Sequence, residues 1–398
     1  MELVELSNKP NRYYLPIHLS NGNYDAEIAE AIAIIRKAVS EGKQIERVDF
    51  YGISFNEIAK TQLQPLFEVI KEARVASLDL VSINLNHTEA SKIQDIFSLV
   101  ADACRNGAVK KVELGRNFLG DASPIQQDAI VQGLLAIVPY IQELDLSSNR
   151  LEGLGIGRLQ NLFIGLARSE NLTSLYLREN SLLPSVCAVD VGAQALELLN
   201  LLLVGRRQKW ELLSLSSFTD VIMFKKEQWQ CFLDKASSAC SKIDLSYNDL
   251  QEFTNEGQDS VFLDIKDLKD DLADVLARTI SSGTILELNL SHNGFSVTNT
   301  KKLREAAIGR QIKLNLEGND CPDNERYYQY LAELTEASRI SPEAVEPPDS
   351  SEEHLLEGST LLLYGFSQSH HDFPVVMEVG IAVLPVDEAA SKSKCYTQ

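Results

Sequence analysis

Apolar residues recur along the chain at a fixed spacing, in which positions one, four, six and eleven are apolar and position nine is asparagine. The segment that starts at Ile141 fits throughout, with Leu144, Leu146, Asn149 and Leu151 at the later positions. Nine such segments, some without the asparagine, have first positions at 45, 75, 109, 141, 172, 210, 240, 285 and 311. Self-similarity at steps of about 30 residues predicts a repeat protein, which grows by stacking units rather than by adding separate cores.

Each unit is predicted to contain a short strand, a turn and a helix. Apolar residues at positions one, four and six point inward from the strand and the turn, where they stack on the neighbouring units. The stretches between the strands have the i, i+3, i+4, i+7 spacing of amphipathic helices. Six of these stretches are Ala26–Ser40, Glu57–Ala73, Ser91–Arg105, Ile125–Val138, Gly157–Ala167 and Asp271–Ile280.

The asparagine lies where the chain leaves the strand. Its side-chain amide can satisfy backbone groups of a bend that the sheet does not reach. The six units that have it contain Asn117, Asn149, Asn180, Asn248, Asn293 and Asn319. One such match is weak evidence of a repeat, but six matches at the same position, in order, are strong evidence.

These units resemble those of the ribonuclease-inhibitor-like leucine-rich-repeat proteins over about residues 25–335. The resemblance implies an α/β solenoid of about nine repeats, shaped as a horseshoe, with parallel strands on the concave face and helices on the convex face. The steps between units are longer and less regular than in that class. In this respect they are similar to the leucine-rich-repeat effectors that intracellular bacteria, notably Legionella, deliver into host cells.

Four regions are expected. Residues 1–24 are predicted to be an N-terminal cap that adds a first strand, because the open end of a stack needs cover. Residues 25–322 form the repeats and residues 323–340 a capping helix. Residues 341–398 are an acidic, proline-rich linker and tail, whose glutamates at 352, 353 and 357 resemble those of type IV secretion signals. The polar segment Glu252–Asp267 is predicted to be a surface loop.

The net charge of −20, from 57 acidic and 37 basic residues, narrows the choice of partner. It argues against nucleic acid and bare anionic membranes, because the chain would be repelled by both. The chain lacks a long apolar run and its start is acidic, so neither a membrane span nor a secretory signal is expected. Six scattered cysteines without a CxxC indicate a reducing compartment, the cytoplasm. A monomer is expected.

No catalytic or metal-binding pattern is found, so the protein is predicted not to be an enzyme and to need no cofactor. The six histidines lack zinc spacing. The run Gly153-Leu-Gly-Ile-Gly lacks the spacing of a phosphate-binding loop, and its glycines are predicted to ease a turn. Cys321-Pro-Asp323 resembles the Cys-x-Asp nucleophile of bacterial leucine-rich-repeat ubiquitin ligases, but the position of Cys321 favours a place in the core.

One modification site is considered, at Cys395. The sequence Cys395-Tyr-Thr-Gln398 has the form of a C-a-a-X box, although Tyr and Thr are not aliphatic. A membrane would be a partner only if a lipid is attached to Cys395.

The predicted function is recognition of a protein partner, because residues beside the strand leucines should line the concave face. Interface energy concentrates on aromatic and arginine anchors in polar surroundings. The chosen residues are Tyr51, Arg116, Asp145, Tyr176, Arg178, Asp244 and Tyr247. The partner would be a host protein if the chain is a bacterial effector secreted into the host cytoplasm. Two alternatives stay open: regulation of a small GTPase, as by the similar GTPase-activating protein of Ran, and substrate adaptor work for a ubiquitin ligase.

Overall fold

A computed structural model describes the chain up to residue 319, apart from residues 7–10, 20–22, 51–52, 106, 184–190, 205, 219–223, 249 and 251–265. For residues 191 and 266–271 only the backbone is described. Predictions for Tyr51, Cys321, Cys395, the capping helix, and the linker and tail therefore lie outside the described residues. So does the predicted loop at 252–267, except for its last two residues, which begin a helix instead.

The described residues alternate between strands and helices. The strands are β1 Val4–Glu5, β2 Arg12–Pro16, β3 Gln44–Asp49, β4 Ser77–Asp79, β5 Lys111–Glu113, β6 Glu143–Asp145, β7 Ser174–Tyr176, β8 Trp210–Ser214, β9 Cys240–Asp244, β10 Glu287–Asn289 and β11 Lys313–Asn315. The helices are α1 Tyr24–Ser40, α2 Lys60–Glu72, α3 Ala90–Cys104, α4 Pro124–Ile137, α5 Ile156–Arg168, α6 Val191–Leu203, α7 Lys226–Ala239, α8 Lys266–Ser282 and α9 Val297–Ala307. All six helices singled out from the sequence are confirmed.

The strands form one open sheet whose order follows the chain from β1 to β11. The pair β1–β2 is antiparallel and every later pair is parallel. Each helix contacts the helix of the next unit, so the helices form a second layer along the sheet. Strands β3 to β11 lie at the nine predicted repeat positions, and the predicted parallel arrangement is confirmed.

The core is built from the three inward positions of each repeat. In the units of β3 to β10, positions one, four and six are at most 1% exposed, as Ile141, Leu144 and Leu146 illustrate. Because successive residues of a strand point to opposite faces, the residues on either side of position four must lie on the face away from the helices. The repeat pattern thus decides which face of the sheet stays open to a partner.

The repeat asparagines form a hydrogen-bonded ladder beneath the turns. Asn149 is fully buried, and its Oδ1 accepts the backbone N–H of Asn117 at 2.9 Å. Its Nδ2 donates to the carbonyl oxygens of Leu114 and Leu146, both at 2.9 Å. Equivalent bonds are made by Asn180, Asn248, Asn293 and Asn319. The predicted role of these amides in the bend is confirmed.

The ladder is interrupted in the unit of β8, where Phe218 occupies the asparagine position. The backbone N–H of Phe218 donates to Oδ1 of Asn248 at 2.6 Å. The buried Phe218 ring has no oxygen with which to accept the backbone N–H of Asn180 in the preceding unit. The asparagine link between the units of β7 and β8 is therefore absent, although their strands remain paired and the indole N–H of Trp210 donates to the carbonyl of Leu202.

Candidate functional site

The candidate site is the open face of the sheet, opposite the helices, and two rows of residues cross it. The strand-end row consists of the last strand residues, which are paired from strand to strand: Asp49, Asp79, Glu113, Asp145, Tyr176, Ser214, Asp244, Asn289 and Asn315. The turn row lies three residues later in eight units: Ser82, Arg116, Ser148, Glu179, Ser217, Tyr247, His292 and Gly318.

Every residue of the turn row has a left-handed backbone, with φ between 51° and 70°. This conformation lets the chain reverse from the strand toward the helix within a few residues, and the asparagine ladder lies directly beneath it. Non-glycine residues rarely adopt this conformation, so it must be held in place by its surroundings. The backbone N–H of each member from Ser82 to His292 donates to a carbonyl of the next unit, also in the units of Ser82 and Ser217, which lack the asparagine. The side chains of the turn row are thereby presented at regular intervals from a rigid support.

The structure brings the predicted site residues together on this face. Asp145, Tyr176 and Asp244 belong to the strand-end row, and Arg116 and Tyr247 to the turn row. Arg178 lies between the two rows, two residues after Tyr176. Neighbouring strands are about 4.8 Å apart, so the rows form a surface that spans many units rather than a pocket.

Two of the predicted binding residues have a structural task that sequence reasoning missed. Oδ1 of Asp145 accepts the backbone N–H of Ser147 at 2.8 Å, which starts the turn after the strand. Oδ1 of Asp244 makes the same bond to Ser246 at 3.1 Å. The same i to i+2 bond recurs at Asp79, Asn289 and Asn315. Aspartate and asparagine in the strand-end row are therefore explained by turn formation alone.

Asp244 accepts more hydrogen bonds than Asp145 does. Its carboxylate also accepts the hydroxyls of Ser214 at 2.9 Å and Ser246 at 2.7 Å, and the Nδ2 of Asn289 at 2.9 Å. A carboxylate with this many donors gains little from a partner's donor, because one existing bond must be displaced. Asp244 is thus a poorer anchor than the sequence suggested.

The first half of the strand-end row is continuously acidic, at Asp49, Asp79, Glu113 and Asp145. Two cations of the same face moderate this charge. Arg47 lies 3.5 Å from Asp49 and 3.6 Å from Asp79, measured between guanidinium nitrogen and carboxylate oxygen. The ammonium of Lys111 lies 2.6 Å from the carboxylate of Glu113. Of these four acids only Asp145 is among the residues chosen from the sequence. The continuity of the acidic run becomes visible when the strands are placed in register.

Asp79 is the most buried of these acids, with 8% of the residue exposed. Burial raises its pKa to about 6, and the N–H of Val81 opposes this shift. The nearby carboxylates of Asp49 and Glu113 raise the pKa further, whereas Arg47 lowers it. A proton can therefore be bound or released at this position close to physiological pH.

We expect the stability difference between the Asp79→Asn variant and the wild type to depend on pH. Between pH 4 and pH 6 the unfolded chain loses the Asp79 proton while the folded chain keeps it, so the wild type loses stability as the pH rises. From pH 4 to pH 7 the free energy of unfolding of the variant should therefore rise by roughly 1–2 kcal/mol relative to that of the wild type. This is less than the full 1.4 kcal/mol per unit of pKa shift, because solvent screens part of the effect. Urea denaturation at several pH values measures this. A difference that does not change with pH would contradict the shifted pKa.

Comparisons with known proteins decide how this arrangement is classified. The crystal structure of the leucine-rich repeat-containing protein LegL7 from Legionella pneumophila matches with a TM-score of 0.53 and 19% identity, covering 82% of this chain and 98% of that chain. The fold is a leucine-rich-repeat solenoid. Neither the protein-family models nor the curated proteins give a match. At 19% identity the likeness shows the fold alone.

Four of the predicted anchors differ in solvent exposure and in whether another side chain already pairs with them. Arg116 is exposed and makes no ion pair with any described residue. Arg178 is exposed and pairs with Glu179 at 3.1 Å. Tyr176 is half-buried, and this burial raises its pKa. Tyr247 is 49% exposed, so Arg116, Arg178 and Tyr247 are all more accessible than Tyr176.

A further aromatic residue, His292, was missed from the sequence. Its ring stacks on Tyr247 with a centroid distance of 4.3 Å and an interplanar angle of 12°. The two residues occupy the same turn position in successive units, and Gly318, the next member of the row, packs against His292. Aligning the repeats by their asparagines would have shown this pair. Together they form a stacked aromatic pair at the C-terminal end of the turn row.

The described residues show neither a metal site nor a membrane-spanning helix. Nowhere among them do three His, Cys, Asp or Glu side chains come close enough to hold a metal ion. The helices in this part of the solenoid are too short or too polar to cross a bilayer. The cysteines that can be placed, Cys104, Cys231 and Cys240, are free thiols.

Proposed function

We propose that the open face of the solenoid recognises a protein partner through the strand-end and turn rows. The observation that carries this proposal is a set of aromatic and arginine side chains on the sheet face that the helices leave open: the exposed Arg116, Arg178 and Tyr247 and the half-buried Tyr176. Such side chains supply most of the binding energy at protein interfaces, whereas the surrounding polar residues supply complementarity. The acidic half of the strand-end row favours a partner with a basic patch at that end.

The experiment compares affinity capture from a eukaryotic lysate by the full wild-type chain and by a Tyr176→Ala, Arg178→Glu variant. We expect at least one partner to be retained by the wild type and lost by the variant, since a central anchor contributes about 2 kcal/mol or more, roughly 30-fold in affinity. Quantitative mass spectrometry of the retained proteins gives the readout.

A matched control for this comparison is Tyr140→Ala, Lys302→Glu, which also removes a tyrosine ring and reverses one positive charge, but outside the two rows. The control should retain the partner. If it loses the partner too, or if the site variant retains it, the open face is not the recognition surface. A small GTPase or a ubiquitin-ligase subunit among the partners would favour one of the two alternative functions.

We further propose that the protein is a bacterial effector that acts on host proteins in the host cytoplasm. The long, irregular repeats and the structural likeness to a Legionella protein support this role. The helices between the strands support the ribonuclease-inhibitor-like subtype of repeat. A translocation reporter fused to the chain tests the role. Delivery into host cells by a type IV-competent strain, but not by a secretion-deficient strain, is the expected result.

A further inference from the structure

Two adjoining recesses lie at the edge of the solenoid where helices end and strands begin, away from the strand-end and turn rows. The larger recess has a volume of about 400 Å³ and lies beside the ends of α6 and α7 and the start of β8. The smaller recess, of about 240 Å³, lies beside the end of α5. Arg207 and Gln208 line both.

The lining of the larger recess is strongly cationic. Arg206, Arg207, Lys209 and Lys235 line it, and no acidic side chain does among the described residues. This is the reverse of the chain as a whole, in which 57 acidic residues outnumber 37 basic ones. Within the described part of the chain Lys209 and Lys235 form no ion pair, and Arg207 pairs only with Glu170, at 2.9 Å.

Arg206 provides a second, independent observation. Its guanidinium lies 3.6 Å from the centroid of the Trp210 ring and donates to the carbonyl oxygens of Leu166, Leu172 and Gln208. None of these partners is a carboxylate, and burial lowers the pKa of Arg206. Three bonds leave two of its five N–H donors for a ligand. A half-buried charge without a counter-ion is unfavourable, and an anion in the recess would compensate it.

Helix ends explain only part of this cationic cluster. Basic side chains often lie at helix C-termini, where they interact favourably with the helix dipole. Arg206 does this for α5 through the carbonyl of Leu166. Lys209 and Lys235 donate to no carbonyl group within the described residues, and Lys235 lies inside α7 rather than after it. Their convergence on one recess therefore needs another reason.

We propose that the larger recess binds a phosphate monoester. A fixed guanidinium suits the oxygens of a phosphate, and the long side chains of Arg207, Lys209 and Lys235 can reach its remaining charge. The volume of about 400 Å³ accommodates a phosphate with a small organic group. The phosphate can come from a small phosphorylated compound or from a phosphorylated side chain of a protein, and the recess recognises the group that both share.

The test is calorimetric titration of the full chain at low ionic strength with phenyl phosphate and with a phosphoserine peptide. We expect the wild type to bind a phosphate probe and the Lys209→Gln, Lys235→Gln variant to bind it about tenfold or more weakly. A tighter complex with the peptide would identify a protein source, and a tighter complex with phenyl phosphate a small compound.

The control is the Lys301→Gln, Lys302→Gln variant, which removes the same charge from α9. This control should bind the probes as the wild type does. The proposal is overturned if neither probe binds the wild type, or if the two variants lose affinity equally, which would indicate attraction by net charge. Circular dichroism of both variants verifies that they fold, and neither substitution changes the structural contacts of Arg206.

Discussion

Replacing Asn149 with alanine is expected to lower the free energy of unfolding by about 3–5 kcal/mol. The change deletes the acceptor for the N–H of Asn117 and the donor to the carbonyls of Leu114 and Leu146, all of them away from water. Each buried backbone group left without a partner costs about 1–3 kcal/mol, and a small cavity adds to the loss. Urea denaturation followed by far-ultraviolet circular dichroism measures this effect.

The control for this variant is Asn171→Ala. Asn171 is exposed and its side chain donates to the carbonyl of Pro139, so its loss can be replaced by water and should cost less than about 1 kcal/mol. Similar midpoints for the two variants would show that the ladder contributes little beyond an ordinary surface hydrogen bond.

Gly120→Ala is the second substitution with a large expected effect. A Cβ at Gly120 would overlap the backbone carbonyl of Arg150 in the next unit and crowd the Cα of Gly153. Backbone atoms cannot rotate away as a flexible side chain can, so the two units must move apart. Gln127 bridges the carbonyls of Gly120 and Gly153 at 2.9 and 3.0 Å, and this bridge would be strained too. We expect a loss of about 3 kcal/mol or more.

Gly157→Ala is the matched control for Gly120→Ala. Gly157 lies in the first turn of α5, and an added Cβ there would meet nothing within 4 Å. Alanine should be neutral or stabilise by up to about 1 kcal/mol, because it favours the helix. Thermal unfolding of both variants separates the two cases. Equal melting temperatures would mean that the Gly120 contact can relax at little cost.

The fold could be predicted because its information is local and repeated. A residue such as Leu144 is recognised by its spacing to Ile141 and Leu146 alone, and errors in single units are corrected by the others.

The prediction that the glycines at 153–157 ease a turn explains only part of that run. Gly155 has a φ of 74°, as a turn requires, but Gly153 packs backbone against backbone on Gly120, one unit away.

The candidate site was harder to predict, because it depends on register between units. The sequence identified Asp145 and Asp244 as acidic and near a strand, but their hydrogen bonds to the following turn are properties of the bent backbone. The His292–Tyr247 stack joins residues 45 positions apart. The cationic recess combines Arg206, Arg207 and Lys209 of the segment before β8 with Lys235 of α7, which the repeat pattern does not single out.

The break in the asparagine ladder at Phe218 has a consequence for how the array unfolds. In a linear stack each unit is stabilised only by its neighbours, so cooperativity is transmitted through the interfaces one by one. The β7–β8 interface lacks the asparagine hydrogen bonds that tie the units of Asn149 and Asn180 together. We therefore expect amide hydrogen exchange to show two groups of residues, one ending with β7 and the other starting with β8. The free energy of opening should differ between the two groups.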